Sequence, residues 1–220
     1  MVTSYSYYLV FCPHPPLLVS RLCSIISGAL WTDDLSLLQH VAPICKSLNS
    51  RLVCRRVSDG LGTFPPGGIL YRGCAITDQE LNFYRVAGQK FRIPAYFSTS
   101  FKENTARAFL RRAWTYHNDN GATKPGVLLK IQVDPRGKDD PAWLCKNVNL
   151  VKSRMRYHHG ATTTEIPDEF EYLFTQYSVF TVAKFVESPS PNYRTPHVLY
   201  LRAADDNALE PPGLLLAPRV

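Results

Sequence analysis

Two glutamates, Glu169 and Glu171, stand two positions apart in PDEFEYLF, an otherwise strand-like run of apolar and aromatic residues. In an extended chain, residues i and i+2 emerge on the same face, so this pair lies about 6 to 7 Å apart at the backbone. Two carboxylates at that separation repel by roughly 2 kcal/mol at an effective dielectric constant near 20. A purely structural strand avoids this cost with Thr or Gln at either position. The pair therefore indicates that both negative charges serve a function.

A second candidate is Arg72, which ends an apolar run and stands between Tyr71 and Gly73. Its planar guanidinium offers a fork for a phosphate oxygen, and the neighbouring glycine would let a ligand approach the backbone closely. The alternative is a buried arginine that pairs with a carboxylate of the protein itself. The arginine alone does not decide between these two roles.

The third candidate is the hydroxyl run Ser98-Thr99-Ser100. On a strand, alternation places Ser98 and Ser100 on one face and Thr99 on the other, so at least one hydroxyl is expected to point inward. A buried hydroxyl needs a hydrogen-bond partner. The alternative is that these residues only decorate a strand edge, where Ser and Thr are common.

The elements that position these residues are predicted strands of an α+β fold. Strands are predicted at Gly68 to Ile76, Ala95 to Phe101, Gly126 to Asp134, within PDEFEYLF, at Tyr177 to Val186 and at His197 to Arg202. They do not alternate regularly with helices, and no GxGxxG motif occurs, which disfavours a doubly wound parallel sheet. The expected architecture is antiparallel or mixed sheets with scattered helices.

Helical spacing of apolar residues predicts two helices before residue 60. The first contains Leu22 to Leu30, and the second follows an N-cap cluster at Thr32 to Asp34 and is interrupted by Pro43. Later, Thr77 and Glu80 form a capping-box pattern that starts a short helix reaching about Val86. A longer helix is expected at Glu103 to Tyr116. The predicted organisation is an N-terminal helical segment (1–60), a core (61–202) and a C-terminal tail (203–220).

Two regions lack periodicity. The basic segment 136–159 is predicted to be a long solvated loop, with a docking element for an acidic partner as the alternative. The tail, 203–220, is predicted to be a surface appendage.

Composition limits the class of protein. The 220 residues, 45% of them hydrophobic, suffice for one substantial core, and a net charge of +7 suits an anionic partner or cofactor as well as a plain basic domain. The six cysteines show no CxxC pair, so a zinc site is not expected. No apolar run approaches the ~18 residues of a membrane span. The apolar YYLVFC is short and lacks a basic lead-in, which argues against a signal peptide. The compartment stays open between cytoplasmic and secreted.

In order along the chain, Arg72, Ser98-Thr99-Ser100 and Glu169-x-Glu171 resemble the R-S-E group of ADP-ribosyltransferases. The resemblance is to the arginine-directed mono-ADP-ribosyltransferases related to cholera toxin and the vertebrate ecto-enzymes. LYRG, FSTSFKENTARAF and EFEYLFTQYSVF carry it, over roughly residues 58–186. Several short motifs in this order, on the same kinds of element, are far more specific than any one of them.

The resemblance implies an ADP-ribosyltransferase-like fold, with two packed mixed or antiparallel sheets, an N-terminal helical segment and a central cleft for NAD. The activity implied is transfer of ADP-ribose from NAD, the co-substrate, to an arginine of an acceptor protein, without a metal. Loss of nicotinamide builds positive charge on the ribose, which a nearby carboxylate stabilises. By resemblance this carboxylate is Glu171, while Glu169 orients the incoming guanidinium and helps to remove its proton.

The other matching positions receive roles by the same resemblance. Arg72 would grip the diphosphate or ribose of NAD, and Gly73 would present backbone groups to the nicotinamide amide. Ser98 would orient Glu171 and the nicotinamide ribose. Thr99 joins the cofactor-binding group, with strand stabilisation as its alternative role.

An aromatic side chain is expected to stack on the nicotinamide. Phe101 and Phe109 are the candidates, and helix core is the alternative role for Phe109.

Two other functions fit the same residues. An NAD glycohydrolase would pass the same sugar cation to water, and a non-catalytic basic module would use the fold for binding only. The intact Arg, Ser and Glu-x-Glu set argues against the second. The expected partner is an acceptor protein that presents an arginine; a monomer is expected, with no membrane association and no nucleic-acid partner.

Overall fold

The computed structural model describes residues 17–52, 66–122, 124–135, 148–150, 171–205 and 207–218. The helices in these ranges are α1 (Leu17–Thr32), α2 (Leu35–Leu52), α3 (Asp78–Phe83) and α4 (Glu103–Asp119). The strands are β1 (Ile69–Ala75), β2 (Lys90–Ile93), β3 (Phe97–Ser100), β4 (Gly126–Gln132), β5 (Val148–Leu150), β6 (Glu171–Phe174), β7 (Ser178–Val186), β8 (His197–Ala203) and β9 (Leu215–Leu216). None of these helices has the length and apolar character needed to cross a membrane.

These strands form one mixed sheet in the order β5-β6-β3-β1-β4-β8-β7-β2-β9. β4 and β8 are parallel, as are β2 and β9, and the other neighbours are antiparallel. The three strands that carry the predicted site residues, β6, β3 and β1, are therefore consecutive in the sheet.

The sheet curls until its two halves pack against each other. Phe97 of β3 and Phe180 of β7 are four strands apart in the order, which would separate them by about 19 Å in a flat sheet. Their ring centroids are 5.6 Å apart, and those of Phe174 and Phe180 are 5.0 Å apart. The predicted α+β class with packed mixed sheets is confirmed, and the two layers are the halves of one continuous sheet.

The core between these halves is aromatic at its centre. Phe91, Phe97, Phe174 and Phe180 are all essentially inaccessible to solvent. Burial of each phenylalanine side chain contributes roughly 1.5–3 kcal/mol relative to exposure. Contacts between distant strands thus hold the curl, and with it the strands of the candidate site.

Helix α4 packs directly on the backbone of β1 at Gly73. A Cβ atom at that position would lie 2.1 Å from the carbonyl oxygen of Ala106 and 2.5 Å from the Cβ of Leu110. Backbone atoms of α4 therefore occupy the space that any side chain at residue 73 would need. The glycine fixes how closely the helix that follows Ser100 approaches the sheet.

The N-terminal helices form a small cluster of their own. Ile26 and Ala29 of α1 pack with Val41 and Cys45 of α2, and Ala95, between β2 and β3, joins them. As predicted, α2 starts from the Thr-Asp-Asp cluster. The carboxylate of Asp34 accepts from the backbone N–H groups of Ser36 and Leu37 at 3.0 and 3.4 Å.

The prediction that Pro43 interrupts the second helix is wrong, because α2 continues through it to Leu52. Proline removes one backbone donor from a helix. Buried Val41 and Cys45, on either side of it, pack against α1 and keep the helix continuous. The short helix α3 has the predicted capping box at Thr77 and Glu80, but it ends earlier than expected.

The tail was expected to be a surface appendage, and that expectation is also wrong. Leu215 and Leu216 form β9, which pairs with β2. Arg92 of β2 donates to the carbonyl oxygens of Glu210 and Pro211 at 3.1 and 2.9 Å. Lys90 forms a salt bridge of 2.8 Å with Glu210. The sequence did not show this attachment, because a strand of two residues is too short to show periodicity. The polar contacts that hold the tail form only in the folded chain.

Strands β2 and β5 were not predicted. In β2, buried Phe91 and Ile93 alternate with Lys90 and Arg92, a signal confined to four residues. β5 lies inside the basic segment 136–159 that was predicted to be a loop, and it pairs with β6. The rest of that segment lies outside the described residues.

Replacing Gly73 with alanine tests the contact between α4 and β1. The added methyl group meets backbone atoms that cannot move independently, so Gly73→Ala should lower the free energy of unfolding by about 3 kcal/mol. Gly213→Ala is the matched control, since a Cβ there meets nothing within 4 Å. Denaturant unfolding of both variants measures the difference. Equal stability of the two variants would contradict the close contact.

Candidate functional site

The candidate site is centred on backbone pairing across β4, β1, β3 and β6. Lys130 is opposite Tyr71, Tyr71 is opposite Ser100, and Ser100 is opposite Glu171. Directly paired residues in antiparallel strands have Cα atoms about 4.5–5.5 Å apart. We call these four residues the transverse row. The folded chain thus brings the serine run and the second glutamate into direct register, although 71 positions separate Ser100 from Glu171 (171 − 100 = 71).

Arg72 links two of these strands through its side chain. Its Nη1 donates to the carbonyl oxygen of Ser98 at 2.8 Å, and its guanidinium carbon lies 4.8 Å from the centre of the Phe97 ring. The side chain is half-buried. A guanidinium in this setting is a fixed positive charge at the junction of β1 and β3. Two predicted site residues are therefore in contact, through the side chain of Arg72 and the backbone of Ser98.

The two faces of β3 carry different partners. The hydroxyl of Ser100 accepts from the backbone N–H of Lys102 at 3.1 Å, which ties it to the start of α4. Thr99 Oγ1 donates to the carbonyl oxygen of Tyr172 at 2.8 Å, in a buried setting. The contacts of Thr99 therefore support its alternative role, stabilisation of the β3–β6 pair. Ser98 is buried, with 6% of its surface exposed.

Gly73 lies beside Arg72 with its Cα against α4. The identity of this residue as glycine therefore has a packing reason, separate from any approach of a ligand. Its predicted role, to present backbone groups to nicotinamide, stays a prediction.

The two candidate stacking aromatics occupy different places. Phe101 packs edge-on against Tyr172, the residue after Glu171, with ring centroids 5.9 Å apart. Phe109 is half-exposed on α4, and the Arg112 guanidinium lies 6.0 Å from its ring centre. Phe109 is not among the buried residues of α4, so its side chain is not helix core. Phe101 is the candidate beside the glutamate strand.

Only the second glutamate of the acidic pair lies within the described residues. Glu169 lies outside the described residues, together with the segment that precedes it. Glu171 is described by its backbone, as the first residue of β6. The structure places Glu171 by its backbone pairing, opposite Ser100 of β3.

A charged cluster beside the transverse row was not predicted. Glu103, in the first turn of α4, accepts from Lys130 Nζ at 3.0 Å and from Arg107 Nε at 2.8 Å. Lys130 Nζ also lies 5.7 Å from the centre of the Tyr71 ring. The cluster ties the N-terminus of α4 to β4 at the level of the row. The i,i+4 spacing of Glu103 and Arg107 was readable in the sequence, but the partner on β4 was not.

The pKa of Glu103 reflects this cluster. Partial burial acts to raise it, but the hydrogen bonds from Lys130 and Arg107 outweigh burial and hold the pKa below the ordinary value of 4.5. A carboxyl with a lowered pKa in the folded state stabilises the fold above its unfolded pKa. That contribution is lost as the pH falls through the folded-state pKa.

Glu103→Gln should therefore lower the free energy of unfolding by about 1 kcal/mol at neutral pH, because two charge-assisted bonds at a partly exposed site are weakened. As the pH falls below about 4.5, the difference from the unmodified protein should shrink. Denaturant unfolding across this pH range measures both effects. A difference that grows as the pH falls would contradict the assignment of the stabilising charge to Glu103.

No protein-family model matches this sequence, and no curated protein matches it either. Solved structures do match. The Vis toxin, an ADP-ribosyltransferase from Vibrio splendidus, is 15% identical with a TM-score of 0.53, over 83% of this chain and 67% of that one. The structure of Vis in complex with the M6 inhibitor has a TM-score of 0.54, with the same identity and coverage. Vis in complex with agmatine gives 0.53 and 15% identity, over 83% of this chain and 68% of that one. The chain therefore has the ADP-ribosyltransferase fold.

Proposed function

We propose that this protein is a mono-ADP-ribosyltransferase that transfers ADP-ribose from NAD to an arginine side chain of an acceptor protein. The observation that carries the proposal is the register of the central strands: Glu171 lies opposite Ser100, and Arg72 binds the backbone of Ser98 on the same strand as Ser100. Three motifs far apart in the sequence thus meet on adjacent strands. The fold that carries these motifs is that of ADP-ribosyltransferases, as the similarity to Vis shows.

The residues present suit NAD as the co-substrate. A half-buried guanidinium at Arg72 matches the diphosphate, and the basic balance of the chain, +7, favours approach of an anionic dinucleotide. Ser98 and the carboxylate of Glu171 are groups that can hydrogen bond to ribose hydroxyls. The set therefore contains a partner for the diphosphate and for the ribose hydroxyls of the reacting half of NAD.

The chemistry explains why two carboxylates are needed. When the bond between nicotinamide and ribose breaks, its electron pair leaves with nicotinamide and positive charge develops on the sugar. Glu171 stabilises that charge more than it stabilises the ground state. A guanidine nitrogen of the acceptor then bonds to the sugar carbon, and Glu169 orients the guanidinium and takes its proton.

Arginine as the acceptor is supported by the first glutamate. A guanidinium pairs with a carboxylate through a planar, bidentate contact, so Glu169 two positions from the catalytic carboxylate suits this nucleophile. One similar structure, Vis, was solved in complex with agmatine, which carries the same guanidine group. Water is the competing acceptor, and its use would make the protein an NAD glycohydrolase.

Two substitutions separate the roles of the glutamates. Glu171→Gln should lower both nicotinamide release and ADP-ribose transfer at least about 100-fold, since it removes the charge that stabilises the transition state. Glu169→Gln should lower transfer to a similar extent but keep NAD hydrolysis measurable, because only the acceptor loses its partner. The assay uses labelled NAD, with and without a small guanidine acceptor.

Glu187→Gln is the matched control, because this carboxylate is exposed and forms a salt bridge with Arg85 at the surface. It should leave both rates unchanged. Transfer that survives equally in Glu169→Gln and Glu171→Gln would refute the assigned roles. Nicotinamide release by the unmodified protein without any transfer would favour the glycohydrolase.

A further inference from the structure

A second group of side chains with possible binding chemistry lies on α4, away from the transverse row. Arg111 and Trp114 of α4 pack with Tyr193 and Arg194 from the connection between β7 and β8. The guanidinium carbons of Arg111 and Arg194 lie 5.8 and 5.4 Å from the centre of the Tyr193 ring, and the Trp114 and Tyr193 rings are 5.4 Å apart. We call these four residues the cation–aromatic cluster.

The backbone beneath the cluster is well held. The side-chain oxygen of Asn192 accepts from the N–H groups of Arg194 and Thr195 at 2.7 and 3.1 Å. Thr195 Oγ1 donates to the carbonyl oxygen of Ser190 at 2.8 Å. The carbonyl of Asn192 in turn lies so close to Gly126 that a Cβ there would come within 2.7 Å of it. Tyr193 and Arg194 are therefore presented from a turn fixed on β4, which lowers the entropy lost on binding.

The charges of the cluster have no acidic partner among the described residues. Both arginines are exposed, and none of the salt bridges in the described ranges includes either of them. Arg194 Nε donates to the Tyr193 hydroxyl at 3.0 Å, which orients the guanidinium and leaves its two terminal nitrogens for other acceptors. Two exposed guanidinium groups that both lie within 6 Å of one tyrosine ring centre can each pair with a carboxylate of the same acidic segment.

The arrangement favours an acidic polypeptide over a nucleic acid. Single-stranded nucleic acids stack their bases on open aromatic faces. The centre of the Tyr193 ring lies within 6 Å of two guanidinium carbons, and the ring packs on Trp114. This ring is therefore not an open face on which a base could stack. Two arginines also fall short of the roughly 6–10 phosphate contacts on which tight nucleic-acid binding relies.

The position relative to the candidate site suits an acceptor that reaches both. Ala75, which pairs with Gly126, is four residues along β1 from Tyr71 of the transverse row, a distance of about 13 Å. An acceptor arginine must approach a chain that carries a charge of +7. Acidic residues elsewhere on the acceptor would offset that repulsion and raise the association rate.

We propose that the cation–aromatic cluster is a docking surface for an Asp/Glu-rich segment of the acceptor protein. The identity of this partner as the acceptor rests on the function proposed above, whereas the binding of an acidic segment does not. Docking there confines the acceptor near the transverse row and selects acceptors that carry such a segment.

Fluorescence anisotropy with a labelled oligo-glutamate peptide tests the docking surface directly. Arg111→Glu and Arg194→Glu should each weaken binding about tenfold, which corresponds to 1.4 kcal/mol. Arg202→Glu is the matched control, with the same change of charge at an exposed arginine of β8, and it should weaken binding less than about twofold. An oligo-glutamine peptide of the same length should bind weakly to all forms. Thermal melts check that each variant is folded.

Transfer to a guanidine-bearing peptide gives the second measurement. An acidic extension on that peptide should lower its KM for the unmodified protein but not for Arg111→Glu, while nicotinamide release without acceptor stays unchanged in both. If the oligo-glutamate peptide binds and the cluster variants weaken its binding, but the protein releases no nicotinamide, the docking surface is supported and the proposed function is contradicted. Equal loss of binding in Arg202→Glu, tighter binding of an oligonucleotide of equal charge, or loss of acceptor-free NAD turnover in Arg111→Glu would overturn the docking surface.

Discussion

The pairing of β3 with β6 is the interaction on which the candidate site depends. It sets Ser100 opposite Glu171, and a slip of one residue would turn every side chain of β6 to the other face. Two buried contacts resist such a slip. Phe97 faces Phe174 in the ladder, where both are core residues, and Thr99 donates to the carbonyl of Tyr172. The hydrophobic core therefore fixes the register, and the register determines which residues can act together.

Local chemistry in the sequence was enough to find most elements near the site. The strands around Arg72 and Ser98 were readable from apolar and β-branched runs, and the capping box at Thr77 from side-chain spacing. The fold class followed from the order of these elements, and the choice of functional residues from the resemblance of three short motifs. The curl of the sheet was not readable, because it arises from contacts between strands distant in sequence, such as Phe97 with Phe180.

The errors share one physical cause, which is that tertiary contacts outweigh local propensity. Pro43 stays within a helix because neighbouring residues pack on α1. Lys130 joins Glu103 only after β4 and α4 come together. The close contact of Gly73 with α4 was likewise not readable from the sequence, because it arises only when the helix packs on β1. For Glu169, the sequence is the source of the assigned role, since this residue lies outside the described ranges.

The attachment of the tail has a consequence for how the chain tolerates shortening. β9 covers one side of β2, and Arg92 and Lys90 hold the preceding turn in place. A protein cut before Glu210 would expose the backbone donors and acceptors of β2, and open strand edges of this kind recruit other molecules into mixed aggregates. Because Phe91 of that strand contacts Phe180 at the centre of the core, such damage would spread inward from the margin. If a C-terminal deletion abolished activity, loss of solubility would therefore be the first explanation, ahead of a direct role of the tail in catalysis.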